Sequence, residues 1–247
     1  MNAKAAKLVE IAYSQIGSPY VFGAWGDPCT EELRDKYATC RPEYASTIKG
    51  ACQRLNSRKM GTCAGCKFEG KRAFDCRGFT KWCLNQAGIV TLSGSGATEQ
   101  YNITKNWMQK GEIKEMPDVP CILFQYRSGA MQHTGVYVGN GKVVHASTGV
   151  IESDVTSAWT HYAIPKNMYT VKELNAEFRL TVTIIKAGAM RKGDWSKATK
   201  VKTAVVGTKY DYVATSTLTG YYGFRGNNSK AVYWIAPKYA KLASEKR

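Results

Sequence analysis

No run in the 247-residue chain approaches the roughly 18 consecutive apolar positions a membrane-spanning helix needs, which excludes a helical span. The opening stretch MNAKAAKLVEIAYSQIG lacks an apolar signal core and a cleavage site, and it carries Glu10 inside an amphipathic pattern. It reads as the first helix of a domain, and synthesis in the cytoplasm without a signal peptide is the expectation. Acidic residues are few, 19 against 35 Lys+Arg, giving a net charge of +16. The deficit is uneven: residues 1–171 hold 20 basic and 14 acidic side chains, residues 172–247 hold 15 and 5. A basic C-terminal third suits an anionic partner. Histidine is the scarcest feature, at 3 residues. What remains, 44% hydrophobic residues, suffices for one substantial core and a small second domain.

Two of those histidines complete the most informative pattern in the chain. Phe74 to Ile89 reads FDCRGFTKWCLNQAGI, with Phe79, Trp82, Cys83 and Ala87 at helical spacing and Gly88 as the stop. Cys76 therefore falls at a helix N-terminus, where free N–H groups and the helix dipole favour a thiolate and lower its pKa. Asp75 suits the N-cap and is also a candidate substrate contact. His133 follows Cys76 by 57 residues and His145 by 69. They flank Thr134 to Val138 and Lys142 to Ala146, β-rich runs around Gly139-Asn140-Gly141. A two-residue loop would put the histidines on opposite faces. A three-residue loop with Gly141 left-handed makes paired positions sum to 280, so the imidazoles share a face as diagonal neighbours about 7–8 Å apart at the backbone. Nucleophile, base and orienter are thus Cys76, His133 and His145. His161, beside Trp159 and Tyr162, reads as a packing residue.

Cys76 in Phe-Asp-Cys-x-Gly, His133 in HTGVYVGNGKVVHAS and the opening VEIAYSQIGSPYVFGAWG together resemble the NlpC/p60 cysteine peptidases over roughly residues 5 to 165. The resemblance implies an α+β, papain-like domain with helices packed on an antiparallel sheet. It also implies cleavage of the γ-D-glutamyl–diamino acid bond in bacterial peptidoglycan, with Cys76 as nucleophile, His133 as base and His145 as orienter. Tyr20 takes a substrate-contact or thiol-orienting role, and the Cys76 backbone N–H helps hold the oxyanion. Arg77 departs from the family's usual serine; its fork of donors suits a carboxylate and alters the substrate pocket. Catalysis needs no cofactor on this reading.

Between the opening helix and Cys76 lies an insertion, about residues 27–72, that the family pattern does not require. It holds Cys29, Cys40, Cys52, Cys63 and Cys66. Cys63-Ala64-Gly65-Cys66 has knuckle spacing for a structural zinc, and Cys29 and Cys52, beside turn residues, are the expected partners. Disulfides and unligated thiols are the rival states, although five cysteines cannot all pair among themselves. Cys83 and Cys121 read as buried small hydrophobes. A catalytic zinc on Cys76, His133 and His145 is a further alternative.

Residues 166–177 read as a linker or short helix. Residues 178–247 carry ten aromatics, among them Trp195, on β-rich runs at Leu180 to Lys186, Lys200 to Val206, Lys209 to Thr215 and Ala231 to Ile235. This region resembles a bacterial SH3-like β-barrel that binds cell walls, with peptidoglycan and its anionic polymers as partners rather than nucleic acid. The expected protein is a peptidoglycan endopeptidase, domain 1–165 plus domain 178–247, in the form of a phage or prophage lysin acting on the wall after export, release or phage delivery. A thiol-type N-acetylmuramoyl-L-alanine amidase and a non-catalytic wall-binding protein are the alternatives.

Overall fold

The computed structural model describes residues 2–56, 60–90, 92–194, 196–216, 219–225 and 231–246. Trp195 lies outside them. The chain divides into two units, one of residues 1–113 and 118–168, the other of residues 114–117 and 169–247.

The first unit opens with α1 (Ala3–Ser14), capped by the Asn2 side chain accepting from the Ala5 N–H and buried along Ala5, Leu8, Ile11 and Ala12. A short ribbon then pairs β1 (Trp25–Pro28) with β2 (Arg72–Phe74), and between these strands run α2 (Glu31–Cys40) and α3 (Ala45–Ala51). This excursion has its own small core, in which Leu33, Tyr37 and Phe68 pack on Val21, Ala24, Cys29 and Ala73.

Helix α4 (Cys76–Gln86) begins at Asp75, whose carboxylate accepts from the Gly78 N–H. It ends as the sequence requires: Gly88 has φ +62°, its N–H donates to Asn85 O at 3.0 Å, and the Ile89 N–H donates to Leu84 O at 3.1 Å. Phe79, Thr80, Cys83 and Leu84 form its buried face. After α5 (Ala97–Asn102) come β3 (Trp107–Glu112), β4 (Cys121–Arg127), β5 (Ala130–Gly139), β6 (Lys142–Ala146), β7 (Val150–Asp154) and β8 (His161–Pro165). They make one antiparallel sheet in the order β3-β8-β4-β5-β6-β7. Central β4 is buried from Cys121 to Gln125, and α1 and α4 both pack on β5. The result is an α+β unit.

The second unit consists of α6 (Val171–Glu177), β9 (Phe178–Ile184), β10 (Ala189–Arg191), β11 (Lys200–Thr203), β12 (Lys209–Thr215), β13 (Tyr222–Arg225), β14 (Val232–Ile235) and β15 (Ala240–Lys246). The strands form one sheet in the order β11-β10-β14-β13-β12-β9-β15. Among the described residues β11 and β15 do not pair, so the sheet does not close into the barrel expected from sequence. Four apolar runs suggested the strands. Three more, β10, β13 and β15, are short or polar, and they set an order that the runs alone left open. Phe224 and Ile235 are fully buried, and the Tyr210 ring packs on Phe224 at 4.7 Å between centroids.

Candidate active site

The β5–β6 hairpin settles where the two histidines point. Its tip pairs Gly139 with Lys142, leaving a two-residue turn, Asn140-Gly141, both left-handed at φ +53° and +71°. The three-residue loop expected from sequence is therefore not formed. A bulge between Tyr137 and Gly139 supplies the extra residue instead, so that Val136 faces Val144 and Tyr137 faces Val143. Either device gives a pair sum of 280, and the imidazoles share a face: His133 Nε2 stands 2.8 Å from His145 Nδ1.

The contacts beyond His145 suit one direction of this bond. His145 Nε2 lies 3.0 Å from Ser153 Oγ, and the Ser153 hydroxyl donates to Asp154 O at 3.4 Å. Ser153 then accepts from the His145 Nε2–H, which leaves His145 Nδ1 to accept from the His133 Nε2–H. That tautomer leaves the His133 Nδ1 lone pair free to take a proton. Ser153 has no local sequence signal. The β6–β7 register, in which Val143 pairs with Ser153 and His145 with Ile151, is what brings it to this face. Trp159, buried, packs 5.4 Å from both imidazole centroids and holds their planes.

Gly135 lets these groups close up. A Cβ there would stand 2.8 Å from Val143 Cγ2, 2.9 Å from His145 Cβ and 3.0 Å from the Trp159 ring. Gly135→Ala is expected to lower stability by about 1–3 kcal/mol through overpacking, measured by thermal or denaturant unfolding.

Cys76, the first residue of α4, faces β5, where the Thr134 backbone N–H acts to lower its pKa. Helix N-terminal donors pull its pKa down, as the sequence suggests. Burial and the neighbouring Asp75 carboxylate outweigh them and push it up to about 12. The depressed thiol pKa expected from sequence is thus overturned by long-range packing. Burial also lowers His133 to about 4, helped by His145 and Arg127, and it lowers His145. Thiol and imidazoles are therefore neutral at rest.

Asp75 is buried, its two carboxylate oxygens accepting from the Gly78 and Gly23 N–H groups. Both oxygens hold the turn into α4, which is the capping role weighed from sequence. Gly78 is required there, because a Cβ would stand 2.1 Å from Ala24 O. Arg77 Nη1 donates to Gly94 O at 3.3 Å, and Nη2 lies 3.9 Å from the Asp75 carboxylate. Tyr20 adjoins the β2 end as a bridge to Phe74, and its phenol pKa is raised by burial and by the fields of Cys76 and Asp75. These residues gather around one thiol. His161 does not join them and packs against Tyr101 and Tyr126.

The insertion cysteines lie in a separate place. Cys29, Cys52 and Cys63 are buried, Cys66 is half-buried and Cys40 is exposed at the end of α2. Among the described residues, no three His, Cys, Asp or Glu side chains are drawn together closely enough to hold a metal ion. For Cys76, His133 and His145 the geometry explains this, because the facing imidazole nitrogens bond each other.

The sheet thus carries a hydrogen-bonded imidazole pair, and α4, which packs on β5, starts at a thiol. Residues 65–169 match the model of the NlpC/P60 family. A probable endopeptidase p60 of Listeria grayi is 33% identical over 100 residues, 38% of this chain and 18% of that protein. The bifunctional muramidase/DL-endopeptidase CwlT of Bacillus subtilis (strain 168) is 35% identical over 149 residues, 55% of this chain and 43% of that one. The chain thus spans less than half the length of either relative. Among solved structures, the P60 domain of an M. avium paratuberculosis antigen superposes with a TM-score of 0.41 at 17% identity, covering 66% of this chain and 92% of that one. RipD of Mycobacterium tuberculosis, described as a non-catalytic, peptidoglycan-binding NlpC/p60 protein, gives 0.40 at 18% identity, covering 66% and 98%.

Proposed function

We propose that the chain is a cysteine endopeptidase of bacterial peptidoglycan, cleaving the γ-D-glutamyl–diamino acid bond of the stem peptide. What supports this reading is the hydrogen-bonded series Ser153–His145–His133 on the sheet against which α4, with Cys76 as its first residue, packs. In the reaction His133 takes the thiol proton as Cys76 sulfur attacks the glutamyl carbonyl. The oxyanion is held by the Cys76 N–H, and the imidazolium then protonates the departing amine. Water hydrolyses the thioester and regenerates the thiol. Arg77, already beside the helix start, offers its guanidinium to a carboxylate of the stem peptide. Catalysis on this scheme uses no cofactor.

The basic second unit supplies affinity for the wall, as the SH3-like resemblance of its sequence suggests, and anionic wall polymers suit its charge. A phage or prophage lysin, delivered to the wall by release or injection, is the form we favour. Mass spectrometry of fragments from digested peptidoglycan tests the bond assignment. New amino termini on the diamino acid are expected. New L-Ala termini with free muramic acid carboxyls would instead make the protein an amidase, and intact stem peptides would make it a binding protein.

A further inference from the structure

Helix α2 buries a cation where a helix ordinarily buries an apolar side chain. Among the described residues of Glu31–Cys40, Arg34 alone is buried, and it is fully so. A guanidinium taken out of water needs acceptors to offset its desolvation. Its Nη1 donates to Tyr20 O at 3.2 Å and to Ile48 O at 3.3 Å, and its Nε donates to Cys29 Sγ at 3.3 Å. One side chain thus ties α2 to α3 and to residues 19–24, a segment outside the insertion.

Two further contacts join the insertion to that segment. The Tyr37 hydroxyl donates to Gly23 O at 3.4 Å. The approach needs glycine, because Gly23 is left-handed at φ +87° and a Cβ there would stand 2.8 Å from Tyr37 Cε1. Tyr44, past the end of α2, stacks on Phe22 with ring centroids 3.6 Å apart.

On its other side the segment holds the chain that leads into Cys76. The Val21 N–H donates to Phe74 O at 3.0 Å, the Phe74 N–H to Pro19 O at 3.1 Å and the Asp75 N–H to Ala24 O at 2.8 Å. The Gly23 N–H donates at 3.0 Å to the carboxylate of Asp75, the group that caps α4. Gly23 therefore joins the two sides: its carbonyl takes Tyr37, and its N–H takes the residue before the thiol.

We propose that Arg34 and Tyr37 are positioning residues for Cys76, acting through residues 19–24 to fix the turn that presents the thiol. The insertion is then part of the machinery of the site, although neither side chain touches the reacting atoms. A guanidinium suits the task because it donates in several fixed directions at once. The inference rests on the reading of Cys76 as nucleophile.

Arg34→Met keeps the apolar stem and removes the donors. Iodoacetamide labelling of the full chain, read residue by residue by peptide mass spectrometry, is expected to quicken at Cys76 by at least about fivefold, because local opening exposes only the groups it uncovers. Cys83 and Cys121, fully buried in α4 and β4, should keep their wild-type rates. Turnover of a soluble stem peptide should fall by at least about tenfold in kcat/KM, as misplacement of a reacting group predicts. A rise shared by all three cysteines would show general loss of fold and overturn the proposal. So would a Cys76 rate equal to wild type, since residues 19–24 would then hold their place without the insertion. Should Arg34→Met fail to fold, Tyr37→Phe removes a single hydrogen bond. It should quicken Cys76 labelling by at least about twofold with Cys83 and Cys121 unchanged, and an unchanged Cys76 rate overturns the proposal equally. A wild-type chain that cuts no stem peptide would refute the endopeptidase reading, while the labelling pattern would still decide this one.

Discussion

Cys76→Ala is expected to reduce peptidoglycan hydrolysis by at least about 10³-fold while wall binding is retained. No other group can take over the thiol's role. The Ser153 hydroxyl lies on the far side of His145 from His133. The residual rate is what the pocket and its N–H donors provide without a nucleophile. A turbidity assay on purified walls, paired with a pull-down of the variant by the same walls, separates chemistry from adhesion. Hydrolysis at the wild-type rate would end the thiol mechanism, and loss of binding together with lysis would show that the substitution had damaged the fold. Alkylation offers a second view of the same group. Because burial keeps the Cys76 thiol protonated, iodoacetamide at neutral pH should label exposed Cys40 before Cys76.

The parts of this site that local chemistry dictates were legible in the sequence. An aspartate before Cys76, apolar residues at helical spacing and Gly88 define α4, because caps and periodicity act over a few residues. Period-two alternation fixed the face shared by His133 and His145, but not how the hairpin achieves it. A bulge at Tyr137 to Gly139 and a three-residue loop produce the same register, and both use glycine. The protonation state of Cys76 was not legible. Whether helix-end donors or desolvation wins depends on how deeply β5 covers the thiol, a contact across more than 50 residues of chain. Ser153 escaped notice for a related reason: a serine on an edge strand has no signature until β7 is registered on β6. In the second unit, the polar alternation of β15 and the three residues of β10 fell below any run-based threshold, so the strand order had to come from pairing rather than from pattern.

The pH dependence follows from the two shifted groups and their signs. His133 accepts the thiol proton only when neutral, so activity requires a pH above its pKa. Burial places that value near 4, below the ordinary 6.5. The acid limb of kcat/KM on a soluble stem peptide should therefore fall well below pH 6, with a broad plateau above it, since the thiol resists ionisation up to about 12. An acid limb at or above 6.5 would refute the half-buried, neutral pair. Stability should carry the same signature. Above about pH 6.5 His133 is neutral in folded and unfolded chains alike and contributes no slope. As pH falls toward 4, the unfolded chain takes up the proton first, and folding stability is lost across that window. His133→Gln should lose activity by about 10²-fold or more, having no base, and should also flatten this part of the stability profile. The flattening is partial, because His145 and His161 are lowered by burial too. A variant that lost activity with an unchanged acid slope in denaturant titrations would mean that His133 is solvated in the folded protein, which would break the link between its burial and its role as base.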